Sequence, residues 1–394
     1  MGHPLTAPPR EGRAGVADLV FSIVYSIIAI VKRPSADSAS SANLISQKTT
    51  RRKRPTATSA SQDGGRGHLK TVRNVYATGL LLVLLFFGSS GWGQQPVSLE
   101  VPVKGSFDFI AYGDVRFTNP GDSAPSNPEY RRALVNQIAS IKPNFVLFSG
   151  DLVLRGDDPA DWTVYDNETK PWAEAKLKVF PAIGNHELAR DEASGLRNYL
   201  QHFPELKSSR YYSVRAGNTL TLVLDSSQDE ASGAQGQWLA SQLDRLPGNV
   251  DFVFFLLHHP PYTRSRDGFM GVGGHTARAR EQALAKMLEE RQPETRARFV
   301  VFSGHVHNYE RYEHQGVTYI VTGGGGATPY PIMRDPQDAY REPGPTYHYC
   351  LVRVNGAKLQ LDMMKLEMQN GRPSFTRADS VVISGPAAKA ASAK

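Results

Sequence analysis

Seven short apolar runs, each of five or six residues and rich in β-branched and aromatic side chains, alternate with segments of helical periodicity through the middle of this chain. That alternation restricts the fold more than any other feature. The runs are Phe107–Tyr112, Asn144–Ser149, Lys178–Ile183, Thr219–Leu224, Phe252–Leu257, Phe299–Ser303 and Val317–Thr322. Their length and composition are those of buried strands. Between them, Tyr130, Ala133, Leu134, Ile138 and Ile141 recur at helical spacing, as do Trp238, Leu239, Gln242, Leu243 and Leu246, and Ala283, Leu284, Met287 and Leu288. Asp158 followed by Pro159 reads as a helix cap with proline at the first helical position. Strand and helix in alternation predict an α/β fold with largely parallel pairing, layered by helices. Tyr347–Val354 and Lys358–Lys365 alternate like antiparallel strands and are expected to close a sheet edge.

The residues just beyond the strand ends carry the chemistry. The first strand runs into Gly113-Asp114, the second into Gly150-Asp151, and the third into Gly184-Asn185-His186-Glu187. The fifth ends at His258-His259-Pro260-Pro261-Tyr262 and the sixth at Gly304-His305-Val306-His307. The carboxyl ends of strands in an open α/β sheet converge on one crevice, so five segments deliver Asp, Asp, Asn-His, His and His-x-His to one place. Alone, a Gly-Asp pair is an ordinary turn and a His-x-His an ordinary surface pair. Five in order, each at a strand end, point to a shared site.

Cys350 is the only cysteine, which excludes an intramolecular disulfide and a thiolate zinc cluster. Any metal must be held by oxygen and imidazole nitrogen. Asp, Asn and His suit two ions about 3.5–4 Å apart, with a carboxylate between them; Asp151 is the natural bridge. Such a pair acidifies a bound water near neutral pH and neutralises phosphoryl oxygens during in-line attack, while a nearby His protonates the leaving oxygen. Iron, manganese and zinc all accept this ligand set.

Asp114, Gly150-Asp151, Gly184-Asn185-His186-Glu187, His258 and Gly304-His305-Val306-His307 match in order the metal-binding motifs of calcineurin-like metallophosphoesterases. The ending Gly304 to Arg311, with Asn308-Tyr309-Glu310, resembles the purple acid phosphatase branch in particular. The resemblance implies an α/β, metallophosphoesterase-type layered β-sandwich flanked by helices. It implies that Asp114, Asp151 and His307 hold a first metal, and that Asp151, Asn185, His258 and His305 hold a second. His186 would stand near the leaving group, and His275 where relatives place a substrate-contacting histidine. Two departures stand out: Leu154 replaces the branch's tyrosine, so no ferric–tyrosinate colour is expected, and Arg116 replaces the histidine of other branches. Arg116 is then either a phosphate donor or an ion pair. Glu187, Tyr309 and Arg311 are expected to orient the histidines from behind. The expected reaction is hydrolysis of small phosphate monoesters, with two rivals: a phosphodiesterase or nucleotidase on the same fold, and a non-catalytic metal-binding or interaction protein with a degraded first site.

The net charge of +7 does not indicate a nucleic-acid partner. Residues 1–93 carry 12 Lys/Arg against 4 Asp/Glu, leaving 33 against 34 in the remainder, with no basic, aromatic-interleaved groove. The leader contains a basic Ser/Thr-rich linker and then Lys70 to Arg73, an apolar core from Ala77 to Phe87, and small residues to Gly93. That order is a signal peptide cleaved near Gly93, on a chain starting near Val72 or Val75, or else an uncleaved anchor, the one expected route to a membrane. Export to a periplasm or the exterior is the expectation in either case. The expected domains are a leader over 1–93, a catalytic domain over 94–385 and a tail over 386–394.

Overall fold

The computed structural model describes residues 96–266 and 275–386. The expected leader and tail lie outside the described residues, apart from Pro386. In chain order the strands are β1 (Ser98–Val101), β2 (Phe107–Tyr112), β3 (Phe145–Phe148), β4 (Lys178–Pro181), β5 (Tyr212–Ala216), β6 (Thr219–Val223), β7 (Phe252–Leu256), β8 (Arg298–Ser303), β9 (Tyr309–His314), β10 (Val317–Thr322), β11 (Tyr347–Asn355), β12 (Lys358–Gln369) and β13 (Arg372–Ser384). The helices are α1 (Pro128–Ile141), α2 (Pro159–Glu168), α3 (Lys170–Glu174), α4 (Asn185–Leu188), α5 (Glu192–His202), α6 (Gly233–Asp244) and α7 (Ala279–Arg291). Asp158 does cap α2, its carboxylate accepting from the Ala160 amide.

The strands form two mixed sheets, one in the order β1-β5-β6-β7-β8-β10-β9 and the other β13-β12-β11-β2-β3-β4. Parallel pairing runs through β6-β7-β8-β10 in the first sheet, through β2-β3-β4 at one end of the second, and in the β1–β5 edge pair; the rest is antiparallel. The expected edge differs. β11 joins β2 and β12 joins β13, so the outermost strand on that side is β13, whose residues are exposed or half-buried and whose apolar run is only Val381-Val382-Ile383.

Side-chain alternation explains the layering. Phe254 and Leu256 of β7 face the other sheet, whereas Val253 and Phe255 pack with Leu239 and Leu243 of α6 and Leu284 and Leu288 of α7. At the seam, Phe109 of β2 stacks on Phe145 at 4.9 Å and meets Phe254 edge-on at 5.0 Å and Phe302 at 6.2 Å. On the outer face of the second sheet, Tyr112 meets Trp172 of α3. No helix among the described residues is long and apolar enough to cross a membrane.

Candidate metal centre

The carboxyl ends of β2, β3, β7 and β8, with the start of α4, bring the motif residues together. Asp114, Asp151, His258 and His307 are buried, and Asn185 and His186 stand at the first turn of α4. Backbone geometry makes this convergence: Asp114, Arg116, Asp151 and His305 have φ of 57°, 52°, 54° and 68°, tight left-handed corners directly after their strands. The glycine before His305 is required by space, since a Cβ on Gly304 would stand 2.3 Å from Asp114 Oδ2.

Two groups of donors result. In the first, Asp114, Asp151 and His307 bring their ligand atoms within 4.8 Å of one another. Asp114 accepts from the His305 amide at 3.0 and 2.9 Å, and His307 Nε2 lies 3.8 Å from Asp114 Oδ1. In the second, Asn185 Oδ1 lies 2.9 Å from His258 Nε2 and 3.0 Å from His305 Nδ1, and the two ring nitrogens are 3.1 Å apart. Asp151 Oδ1 is 3.3 Å from His258 Nε2, so this carboxylate touches both groups.

The tautomers are set from outside. His258 Nδ1 lies 2.9 Å from the Ser149 carbonyl and His307 Nδ1 2.9 Å from the Thr328 carbonyl, so each donates its proton there and turns Nε2 inward as a lone pair. His307 Nε2 is buried and has no hydrogen-bond partner among the described residues. An orphaned acceptor beside two carboxylates, and three lone-pair donors crowded within about 3 Å, fit a cation better than they fit one another.

The protonation states agree. Burial holds His258, His305 and His307 below the ordinary imidazole range, which keeps them neutral, the form that ligates. Burial with Asp151 alongside pushes Asp114 well above the usual carboxylate range. Burial alone would raise Asp151 too, but His258, His186 and Arg116 outweigh it and hold that carboxylate well below its ordinary value.

The remaining residues divide. His186 contributes its amide to Asp151 Oδ1 at 3.0 Å, anchors Nδ1 on the Leu154 carbonyl at 2.6 Å, and leaves Nε2 3.9 Å from Asp151 Oδ2 at the mouth. Arg116 donates to Asp151 Oδ2 from Nε at 3.3 Å and Nη2 at 3.1 Å, an ion pair inside the centre rather than on the surface. His275 stacks on His305 with ring centres 3.9 Å apart. A ring nitrogen of His259 also lies within 4.8 Å of those of His258 and His305, while its Nδ1 contacts Ser226 Oγ at 2.8 Å.

The supporting residues do different work from that expected. Glu187 holds no histidine; its carboxylate accepts from the amides of Asp151, Val153 and Gly184 at 2.9, 3.3 and 2.8 Å and clamps the two motif loops. Tyr309 and Arg311 both bind Asp379 of β13, tying the β9 edge down instead of orienting the His-x-His turn. Sequence reasoning missed a pair of buried carboxyls, Glu230 and Glu281, because neither sits in a motif. Burial and Glu281 push Glu230 up to about 8, so the folded chain keeps a proton there that the unfolded chain releases near 4.5. That contribution to stability is fully present below pH 4.5 and is lost as pH rises through 8. Glu230→Gln should therefore flatten the pH dependence of the denaturation midpoint between about 5 and 8; an unchanged slope would place the proton elsewhere.

Two mixed sheets packed face to face, with carboxylates, an amide and imidazoles gathered at one set of strand ends, define the metallophosphoesterase fold. The chain belongs to the calcineurin-like phosphoesterase family, whose model matches residues 107–309, just over half of its 394 residues. That family binds dinuclear metal centres. Purple acid phosphatase 22 of Arabidopsis thaliana is 25% identical over 231 residues, 54% of this chain and 50% of that protein; purple acid phosphatase 15 of the same plant is 29% identical over 168 residues, 39% and 30%. The chain thus spans about half or less of those two relatives' lengths. Among solved structures, the yellow lupin purple acid phosphatase PPD1 superposes with a TM-score of 0.56 at 18% identity, covering 72% of this chain and 54% of that one. PhoD gives 0.52 at 12% identity, covering 72% and 70%. GAP50 of Plasmodium, described as an anchor in the inner membrane complex, gives 0.51 at 14% identity, covering 70% and 90%. These three support the fold.

Proposed function

We propose that this chain is an exported two-metal phosphatase acting on small phosphate monoesters. The observation that carries the reading is Asp151, a buried carboxylate between two groups of inward-facing lone-pair donors. Asp114, Asp151 and His307 would hold one cation, and Asp151, Asn185, His258 and His305 the other. A bound cation pair supplies an acidified water and screens phosphoryl charge. The chain's own residues do the rest. His186, with Nδ1 tied to the Leu154 carbonyl, presents Nε2 at the mouth and in its protonated form donates to the leaving oxygen. His275, stacked on His305, borders the position of the phosphoryl group. Arg116 spends two donors on Asp151 Oδ2 and keeps three for a phosphate oxygen.

The same Arg116 contact favours a second reading, in which the guanidinium stands in for the first cation and the protein binds one metal without turnover. Elemental analysis, combined with hydrolysis of p-nitrophenyl phosphate and its bis ester in added manganese, zinc or iron, separates the readings. Two metals per chain with faster monoester turnover is the expected result. One metal and no turnover of either ester would overturn the phosphatase.

A further inference from the structure

Beside the metal centre, and sharing Asn185 and His259 with it as wall residues, lies an open cleft of about 360 Å³. Three guanidinium groups line it: Arg210 from just before β5, and Arg278 and Arg280 from the start of α7. None belongs to a metal-binding motif. Among the described residues, the only acidic side chain in the lining is Glu192, which is 61% exposed and so counts for little against them.

The carboxylates that hold the arginines in place lie beneath the floor. Arg278 and Arg280 both bind Glu281, which is fully buried, and Arg210 binds the fully buried Asp225 at 2.6 Å. Arg278 and Arg280 thus share a single buried carboxylate, Glu281. The side chains remain 17–33% exposed on the cleft side. Arg280 uses its other contacts on the carbonyls of Ser227 at 3.1 Å and Ser226 at 2.7 Å, and Arg210 on Glu192 and Ser227 Oγ. Each guanidinium has five N–H donors, and these contacts use three of them on Arg210 and on Arg280. Arginines whose heads are fixed from below, with donors left over, form a preorganised anion receptor.

Building on the phosphatase reading, we propose that this cleft is a second anion subsite, and that the preferred substrate is a phosphate ester carrying a further anionic group, phosphoryl or carboxylate, close to the scissile phosphate. The scissile group sits at the metal centre and the second charge on the arginine row, across the wall formed by Asn185 and His259. Clamping of the 225–227 loop by the same arginines is a structural role that would affect all substrates alike. The subsite changes their ratio.

The test compares kcat/KM for ethyl phosphate, phosphoglycolate and ethylene glycol bisphosphate, all alkyl phosphate esters, in the wild-type protein and in Arg280→Gln, Arg280→Lys and Arg278→Gln. We expect phosphoglycolate or ethylene glycol bisphosphate to exceed ethyl phosphate by about tenfold or more; which one does so identifies the second group. That ratio should collapse toward one in the Gln variants and be partly kept by Lys. A wild-type ratio within about threefold of one, or a ratio untouched in both Gln variants, overturns the subsite while leaving the phosphatase standing. Absence of turnover on all three sinks the phosphatase instead. Calorimetric titration of pyrophosphate then decides the cleft alone, since binding that is equal in wild type and Arg280→Gln rejects it.

Discussion

Asp151→Ala should lower phosphatase turnover by about 10³-fold or more, which is ~4 kcal/mol of lost transition-state stabilisation. Its carboxylate joins the two donor sets, lying 3.3 Å from His258 on one side and within 4.8 Å of the ligand atoms of Asp114 and His307 on the other. Asp114 cannot take its place, because its own carboxylate is held by the His305 amide at 3.0 and 2.9 Å. Asp151→Asn is the sharper variant, since it keeps the shape and the acceptor for the His186 amide and removes only the charge. Both proteins should melt cooperatively and bind less than two metals per chain. Retention of near-normal turnover by either one, in a protein that is still folded, would show that the reaction takes place somewhere else.

Phe109→Ala should destabilise the chain by ~3–5 kcal/mol, the range for emptying a fully packed aromatic site. Phe109 has no exposure and touches rings from both sheets, Phe145 on its own side and Phe254 and Phe302 across the seam. The cavity cannot easily be refilled, because those neighbours are anchored by strand hydrogen bonds on β3, β7 and β8. Val382→Ala on β13 is the control; with 51% exposure it should change stability by less than about 0.5 kcal/mol. Equal midpoints for the two variants in chemical denaturation would mean that the two sheets do not meet at Phe109.

The contrast between those positions also explains what the residues reveal in advance. β2, β7, β8 and β10 are buried on both faces over nearly all their length, so they read as largely apolar runs, and the motif residues come where those of β2, β7 and β8 stop. β9 spells Tyr-Glu-Arg-Tyr-Glu-His and hides its pattern because Glu310 is buried, satisfied by Thr263, the Arg264 amide and Tyr312. β5 carries a serine and an arginine among its five residues, and β13 lies at an edge where one face needs no apolar cover. In the centre, the side chains that meet are visible as residue types. The carbonyls of Ser149, Leu154 and Thr328 that orient three histidines are not, since every residue has a carbonyl and only the fold says which one faces a ring. The arginine row is equally hidden: Arg210 and Arg280 are 70 positions apart, and the row gains meaning only from buried acids beneath it and a common opening.

Left-handed corners at Asp114, Asp151 and His305 have one more implication. Non-glycine residues adopt that conformation reluctantly, so the cost of holding these side chains in place falls on folding and not on ligand capture. Cation uptake by such a rigid cradle should proceed with little ordering of the chain, and hydrogen exchange of the amides in the Gly113–Phe117 and Gly150–Leu154 turns should look much the same before and after loading.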